Sequence, residues 1–278
     1  MIFSRRQLIM GLIWGPLLAS GRSFGDLFNR RPLVVPRMTI MGASSCLGYV
    51  KAVLPQWERQ YGPVHVAVSG GGSYAGLRAL ATGQVDIALA DVMPPPGYIG
   101  VPVRRYVLGR LPIVIVAHQG VGVKQIACDQ TRQLFHGTIT NWRDVGGNNL
   151  PVVVVSRPLS SGAREVVQTR LMGRSQFSAH SIIQLSNGAV IKTVADTPGA
   201  IGYVEAVMPL WRVQIMAVGN RAKPPEKASN RKLYAEPAVY IRRETRALVI
   251  SLAEYLANDP RRPRFGIYPL GSEEGSPC

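Results

Sequence analysis

Apolar and polar positions along this chain follow two periods, and they alternate. Short, nearly continuous apolar runs, "RMTIMGA" (37–43), "VHVAVSG" (64–70), "VDIALAD" (85–91), "LPIVIVAHQ" (111–119) and "PVVVVSR" (151–157), predict β-strands. Between them "VKAVLPQWERQYG" (50–62), "GLRALATG" (76–83), "DQTRQLFHG" (129–137) and "AREVVQTRLMG" (163–173) place apolar residues three and four apart, the spacing of an amphipathic helix. Strands that alternate with helices predict an α/β protein with largely parallel sheets. Pro55 falls inside the first helical run, so that helix either starts near it or kinks there. No fixed-period repeat is present, and Gly219 to Lys232, "GNRAKPPEKASNRK", reads as a surface loop.

Composition supports a folded chain with an anionic partner. Of 278 residues, 46% are hydrophobic and 17% charged, enough apolar material for one large domain or two ordinary ones. The net charge of +16 favours nucleic acid, an anionic membrane surface or a small anion. The first residues narrow this choice. Arg5 and Arg6 precede an apolar run from Leu8 to Ala19, with small residues at Ala19, Ser20 and Gly21, which is the layout of an export signal over residues 1–21. Ser4-Arg5-Arg6-Gln7-Leu8 resembles a twin-arginine signal, which carries folded proteins across a membrane. The run is shorter than the ~20 apolar residues of a membrane span and contains Gly11, Gly15 and Pro16. The arginines Arg242, Arg243, Arg246, Arg261, Arg262 and Arg264 would suit nucleic acid, but export argues against it.

Cys46, Cys128 and Cys278, and His65, His118, His136 and His180, match no metal-ligand spacing, so no metal and no cofactor are expected. Three strand-to-helix junctions carry small hydroxyl residues and glycines instead: "GASSCLG" (42–48), "SGGGSYAG" (69–76) and "SRPLSSGAR" (156–164). In an open parallel sheet such junctions lie at the carboxyl ends of the strands, where ligands bind. The N–H groups of a helix's first turn carry partial positive charge there, and glycine admits close approach, so the turns suit an anion. Ser44, Ser45, Ser73 and Ser161 are equally explained as ordinary helix N-caps. A phosphate-cradling GxxxxGK loop is excluded because Leu77 follows Gly76, and GxSxG fails because Ala75 stands two after Ser73. No enzyme activity is expected.

"GASSCLG", "GGGSYAGLRALATGQVDIALAD", "FHGTITNWRDVGG", "SRPLSSGAR" and "TPGAIGYVE" stand in the order and close to the spacing seen in the periplasmic phosphate-binding proteins of phosphate ABC transporters, which this chain resembles over about Arg37 to Glu205. The resemblance implies a type II periplasmic binding protein fold, two α/β lobes with a ligand cleft between them. Lobe 1 would take 37–112 plus 204–270, lobe 2 would take 113–203, and 271–278 would be a tail. It implies a periplasmic monomer that captures inorganic phosphate for the membrane permease of an ABC transporter, without nucleic acid. The same fold could take another oxyanion, or serve as a phosphate sensor or cell-surface interaction protein. By resemblance the phosphate-binding residues are Cys46, Leu47, Ser73, Asp91, Arg157, Ser161, Gly162 and Ala163. Arg157 would supply a charge-assisted pair of hydrogen bonds. Asp91 would accept a hydrogen bond from a protonated oxyanion, although a turn residue before "VMPPPG" is its bland reading. Cys46 and Ala163 depart from the hydroxyl residues usual at these places, and Ser45 and Arg164 stand next to them.

The export reading has a direct test. Arg5→Lys combined with Arg6→Lys should leave unprocessed precursor in the cytoplasm, as seen by fractionation and immunoblot; mature protein at normal levels in the periplasm would remove the twin-arginine assignment.

Overall fold

The structure is a computed structural model, and it describes residues 35–207, 209–219 and 233–270. The export segment, the 271–278 tail and most of the 219–232 loop lie outside the described residues.

The first sheet begins with β1 (Arg37–Gly42), β2 (His65–Ser69) and β3 (Ile87–Ala90), linked by α1 (Leu47–Tyr61) and α2 (Ser73–Ala81). These three strands are parallel, with β1 between the others: Ile40 pairs with both Val68 and Ile87. The α1 helix runs through Pro55 rather than starting at it, and buries Tyr49, Val50, Val53, Leu54 and Trp57 on one side. Proline removes one helical hydrogen bond, and burial of that apolar side keeps the helix in place across it. Two further strands, β4 (Val103–Val107) and β12 (Ala238–Arg242), complete the order β2-β1-β3-β12-β4, with α6 (Ala247–Asn258) packed against them.

The second sheet holds β5 (Leu111–Ala117), β6 (Gln125–Ile126), β7 (Val153–Ser156), β8 (Ile182–Ile183), β9 (Ala200–Glu205), β10 (Gln214–Val218) and β11 (Tyr234–Ala235). Its order is β6-β10-β5-β9-β7-β8, with β11 beside β5. Its helices are α3 (Cys128–His136), α4 (Gly162–Val167), which runs into a π-helical turn at Gln168–Met172, and α5 (Asn187–Asp196). The chain crosses between sheets twice, through Leu108–Arg110 and through Glu236–Pro237.

Those crossings correct two expectations. The sheets are mixed rather than largely parallel, because β5 returns antiparallel to β9 and β10, and β12 antiparallel to β3 and β4. Gln214–Val218 and Tyr234–Ala235 pair within the second sheet, whereas 204–270 was expected in the first lobe. The short, mixed run "QIMAV" gave no strand signal of its own; pairing with β5 makes it one.

Two of the motifs behind the family resemblance are structural. Asn141 caps a short 3-10 turn by accepting from the Arg143 N–H at 3.0 Å, and the neighbouring Trp142 donates its indole N–H to the Gly199 carbonyl at 2.8 Å. The "NW" and "PG" pieces therefore hold each other. Phe135, Phe177 and Tyr203 pack together beneath α4, with ring centroids 5.4–5.9 Å apart.

At the first junction Gly42 has φ +146°, and a Cβ there would stand 2.0 Å from the Leu89 carbonyl oxygen. Gly42→Ala should therefore cost about 2–3 kcal/mol through strained backbone and collision with β3. A urea midpoint lowered with an unchanged slope would show it; an unshifted midpoint would contradict the packing.

Candidate functional site

Three junctions that lie far apart in sequence meet at one buried cluster. The β1–α1 junction contributes a one-turn 3-10 helix, Ser44–Cys46, that feeds directly into α1. The β2–α2 junction contributes Ser73, the first residue of α2, which is fully buried. Asp91 follows the last residue of β3, and Arg157 follows the last residue of β7. Both are almost wholly buried, Asp91 at 3% and Arg157 at 2% exposure.

On the first-sheet side everything is organised around Asp91. The Ser45 hydroxyl donates to Asp91 Oδ1 at 2.7 Å, and the Cys46 thiol reaches the same oxygen at 3.8 Å. The Asp91 backbone N–H donates to Ser73 Oγ at 2.9 Å, which leaves the Ser73 hydroxyl proton for another acceptor. Burial, then repulsion from Glu205, hold the Asp91 carboxyl well above the usual carboxylate range, while Ser45 and Arg157 pull it down. Burial, then Asp91, push the Cys46 thiol up, so it stays protonated and acts as a weak donor.

On the second-sheet side Arg157 is held from several directions. Its Nη1 donates to Asn187 Oδ1 at 3.0 Å, and its Nη2 to the Leu185 carbonyl and Ser44 Oγ, both at 3.3 Å. The Arg157 N–H donates to the Tyr203 hydroxyl at 3.2 Å. Arg164 bonds the Ser156 hydroxyl at 2.7 Å and the Arg157 carbonyl at 3.1 Å, with its guanidinium carbon 4.6 Å from the Phe177 ring centroid. It braces the loop that carries Arg157 and does not stand in for a missing hydroxyl at Ala163.

Loops of the two sheets touch at the cluster. Tyr74 N–H donates to the Ser160 carbonyl, and Ser160 Oγ to the Gly71 carbonyl, each at 3.1 Å. Gly162 packs so closely that a Cβ would lie 2.6 Å from Ser73 Oγ and 2.8 Å from Asp91 Cβ. Only glycine brings the start of α4 this near to both.

Of the residues singled out from sequence, Ser73 and Cys46 each bond Asp91, Gly162 packs against Ser73 and Asp91, and Arg157 reaches the same junctions through Ser44. Ser161 caps α4, accepting from Arg164 N–H at 3.4 Å, as its bland reading held. Ala163 is fully buried in the first turn of α4, where its N–H and that of Gly162 have no intrahelical acceptor. The Leu47 N–H donates to the Ser44 carbonyl, so in this conformation it is spent on the 3-10 turn.

Sequence reasoning missed Glu205 and Asn187. Glu205 ends β9, is 1% exposed, and places Oε2 3.8 Å from Arg157 Nη1. A lone carboxylate closing the otherwise apolar strand "AIGYVE" was the available signal.

An arginine from one sheet and a buried carboxyl from the other meet here, ringed by hydroxyls and helix-start N–H groups, a donor-rich arrangement with the chemistry to hold an anion. Two α/β sheets joined by two crossings, with that site between their loops, define a two-lobed binding protein. This chain belongs to the PBP superfamily, whose domain matches residues 31–212. It is 33% identical over 171 residues to the phosphate-binding protein PstS of Bacillus subtilis, an alignment covering 60% of this chain and 56% of that protein. The chain thus spans little more than half the length of that relative. Among solved structures, a Clostridium perfringens substrate-binding chain with bound phosphate superposes with a TM-score of 0.73 at 23% identity, covering 83% of this chain and 98% of that one. An ABC-type phosphate transport receptor from Vibrio cholerae gives 0.63 at 22%, covering 82% and 96%. These two establish likeness of fold.

The raised Asp91 carboxyl makes stability depend on pH. A group whose folded pKa is raised stabilises the fold fully only below its unfolded pKa, about 4, and that contribution is lost as pH rises toward the folded value. Asp91→Asn, melted without anion, should therefore gain Tm over wild type by more at pH 8 than at pH 5. Equal differences at the two pH values would mean Asp91 ionises in the fold as it does in water.

Proposed function

We propose that this protein, once exported, captures inorganic phosphate between its two sheets and hands it to the membrane permease of an ABC transporter. The observation that carries the reading is the meeting of Asp91 and Arg157 in one dry cluster. A guanidinium supplies the charge an oxyanion needs, in a planar fork that suits two of its oxygens. A carboxylate beside that anion repels it unless the anion brings a hydrogen, which phosphate does at neutral pH and sulfate does not. The relatives' names point to the same ligand. Among the described residues no helix is long and apolar enough to cross a membrane.

The start of α4 adds donors. The first-turn N–H groups of Gly162 and Ala163 and the hydroxyl of Ser73 lie around the Gly162–Ser73–Asp91 contact, where a tetrahedral anion would be ringed on several sides. Cys46 and Ala163 each remove or weaken one hydroxyl donor, at ~0.5–1.5 kcal/mol apiece, which favours a somewhat weaker site rather than none.

Calorimetry of the mature chain in phosphate-free buffer tests the reading. Phosphate and arsenate should bind and sulfate should not. Arg157→Ala should lower phosphate affinity by roughly 2–5 kcal/mol, a factor of about 30 to several thousand, without loss of the folded circular dichroism spectrum. Asp91→Asn should raise sulfate relative to phosphate. A wild type that takes sulfate as readily as phosphate would sink the phosphate assignment, and tight phosphate binding by Arg157→Ala would place the anion elsewhere.

A further inference from the structure

Glu205 has no part in the reading above, yet it lies in the cluster beside Arg157. It is fixed by strand pairing, with Ile113 opposite it on β5, and its carboxylate is as buried as any charged group among the described residues. The simplest account makes it a structural counter-ion that holds Arg157 in position. The geometry argues otherwise. The guanidinium is already positioned by hydrogen bonds to Asn187, Leu185 and Ser44, at 3.0, 3.3 and 3.3 Å. Glu205 makes no hydrogen bond to it: Oε2 stands 3.8 Å from Nη1, whose bond goes to Asn187, and Oε2 has no donor at all. Arg157 Nε is likewise without an acceptor, and so is the donor Asn187 Nδ2. Glu205 thus gives Arg157 charge without geometry, in a place where charge is screened least. Its second neighbour is Asp91, close enough for its charge to push that carboxyl up.

We propose that Glu205 is an internal counter-anion, an affinity-setting residue whose buried carboxylate competes with the bound oxyanion for the charge of Arg157. The proposal rests on the oxyanion-site reading of Asp91 and Arg157. Without an oxyanion, Glu205 is what offsets the buried guanidinium; with one, the two negative groups share a single cation and repel each other. The carboxylate therefore stabilises the anion-free protein and weakens anion binding. A residue that merely positioned Arg157 would do the opposite to binding, because its loss would let the guanidinium move. The sign of the effect separates the two roles.

The test is Glu205→Gln, which keeps the shape and removes the charge. Inorganic phosphate should bind about ten-fold more tightly than to wild type by calorimetry. The anion-free Tm should fall, and the rise in Tm on adding phosphate should be larger than in wild type. Phosphate affinity that is unchanged or weaker overturns the proposal. If the Gln variant does not fold, Glu205→Asp, which draws the charge back from Arg157, should still bind phosphate more tightly than wild type, and weaker binding there overturns the proposal equally. Wild type that binds phosphate in an Arg157-dependent way secures the underlying site whatever Glu205→Gln does. Wild type that binds no phosphate overturns the site and this role together.

Discussion

A guanidinium buried between two sheets imposes most of the order seen around it. Arg157 is 2% exposed, so its charge and its donors must be met by protein or ligand. That requirement recruits the start of α5 through Asn187, the 185 carbonyl just before it, and Ser44 from the opposite sheet. It also accounts for a support that touches no ligand. Tyr203 is kept neutral by burial and receives the Arg157 N–H, while Arg164 ties down Ser156 and the Arg157 carbonyl from above Phe177. The aromatic group beneath α4 is therefore part of the arginine's mounting, and β7 and β9 are held side by side where it is needed.

The opposite side is built around the reverse problem, a carboxyl where negative charge is unwelcome. Ser45 and Cys46 direct two hydrogens at one oxygen of Asp91, and its backbone is pinned to Ser73. In the proposed phosphate reading such a group would discriminate by hydrogen count rather than by shape, because oxyanions of similar size differ chiefly in whether they carry a proton. In that reading the arginine would attract any anion and the carboxyl would withdraw the attraction from those without a hydrogen to give. Neither residue has this effect alone, and their chain separation means that only the folded arrangement of both sheets creates it.

Much of this was legible in the sequence, and the reasons differ from place to place. Strands β1, β3, β5 and β7 announced themselves because they are largely buried and mostly apolar, the edge strand β2 did so through its valines although it is not buried, and the three glycine and serine junctions marked where strands turn into helices. Antiparallel β12 and β10 did not, since a strand's direction and sheet membership depend on partners more than a hundred residues away in the case of β12 and β4. Asp91 was visible as the lone acid after an apolar strand. Glu205 offered the same signal at the end of β9 and was passed over inside a motif whose neighbours, Gly199 and Tyr203, do structural work. Asn187 had no signal, because an asparagine near a helix start is ordinarily a cap; here Ser186 caps α5 and frees Asn187 for the arginine.

The two missing hydroxyls, at Cys46 and Ala163, fit this division of labour. Cys46 is spent on Asp91 alongside Ser45, so the strong donor to that oxygen is the serine, and the thiol adds a second, weaker hydrogen without adding charge. Ala163 lies in the first turn of α4, where the available donor is its backbone N–H, a group that every residue except proline provides. A methyl group there also fills a wholly buried space, where a hydroxyl would need a partner of its own. What the site demands at these two positions is hydrogens aimed inward and close packing around Gly162. The backbone and Ser45 supply part of what those hydroxyls would, which leaves the donor set weaker at these two positions but not empty.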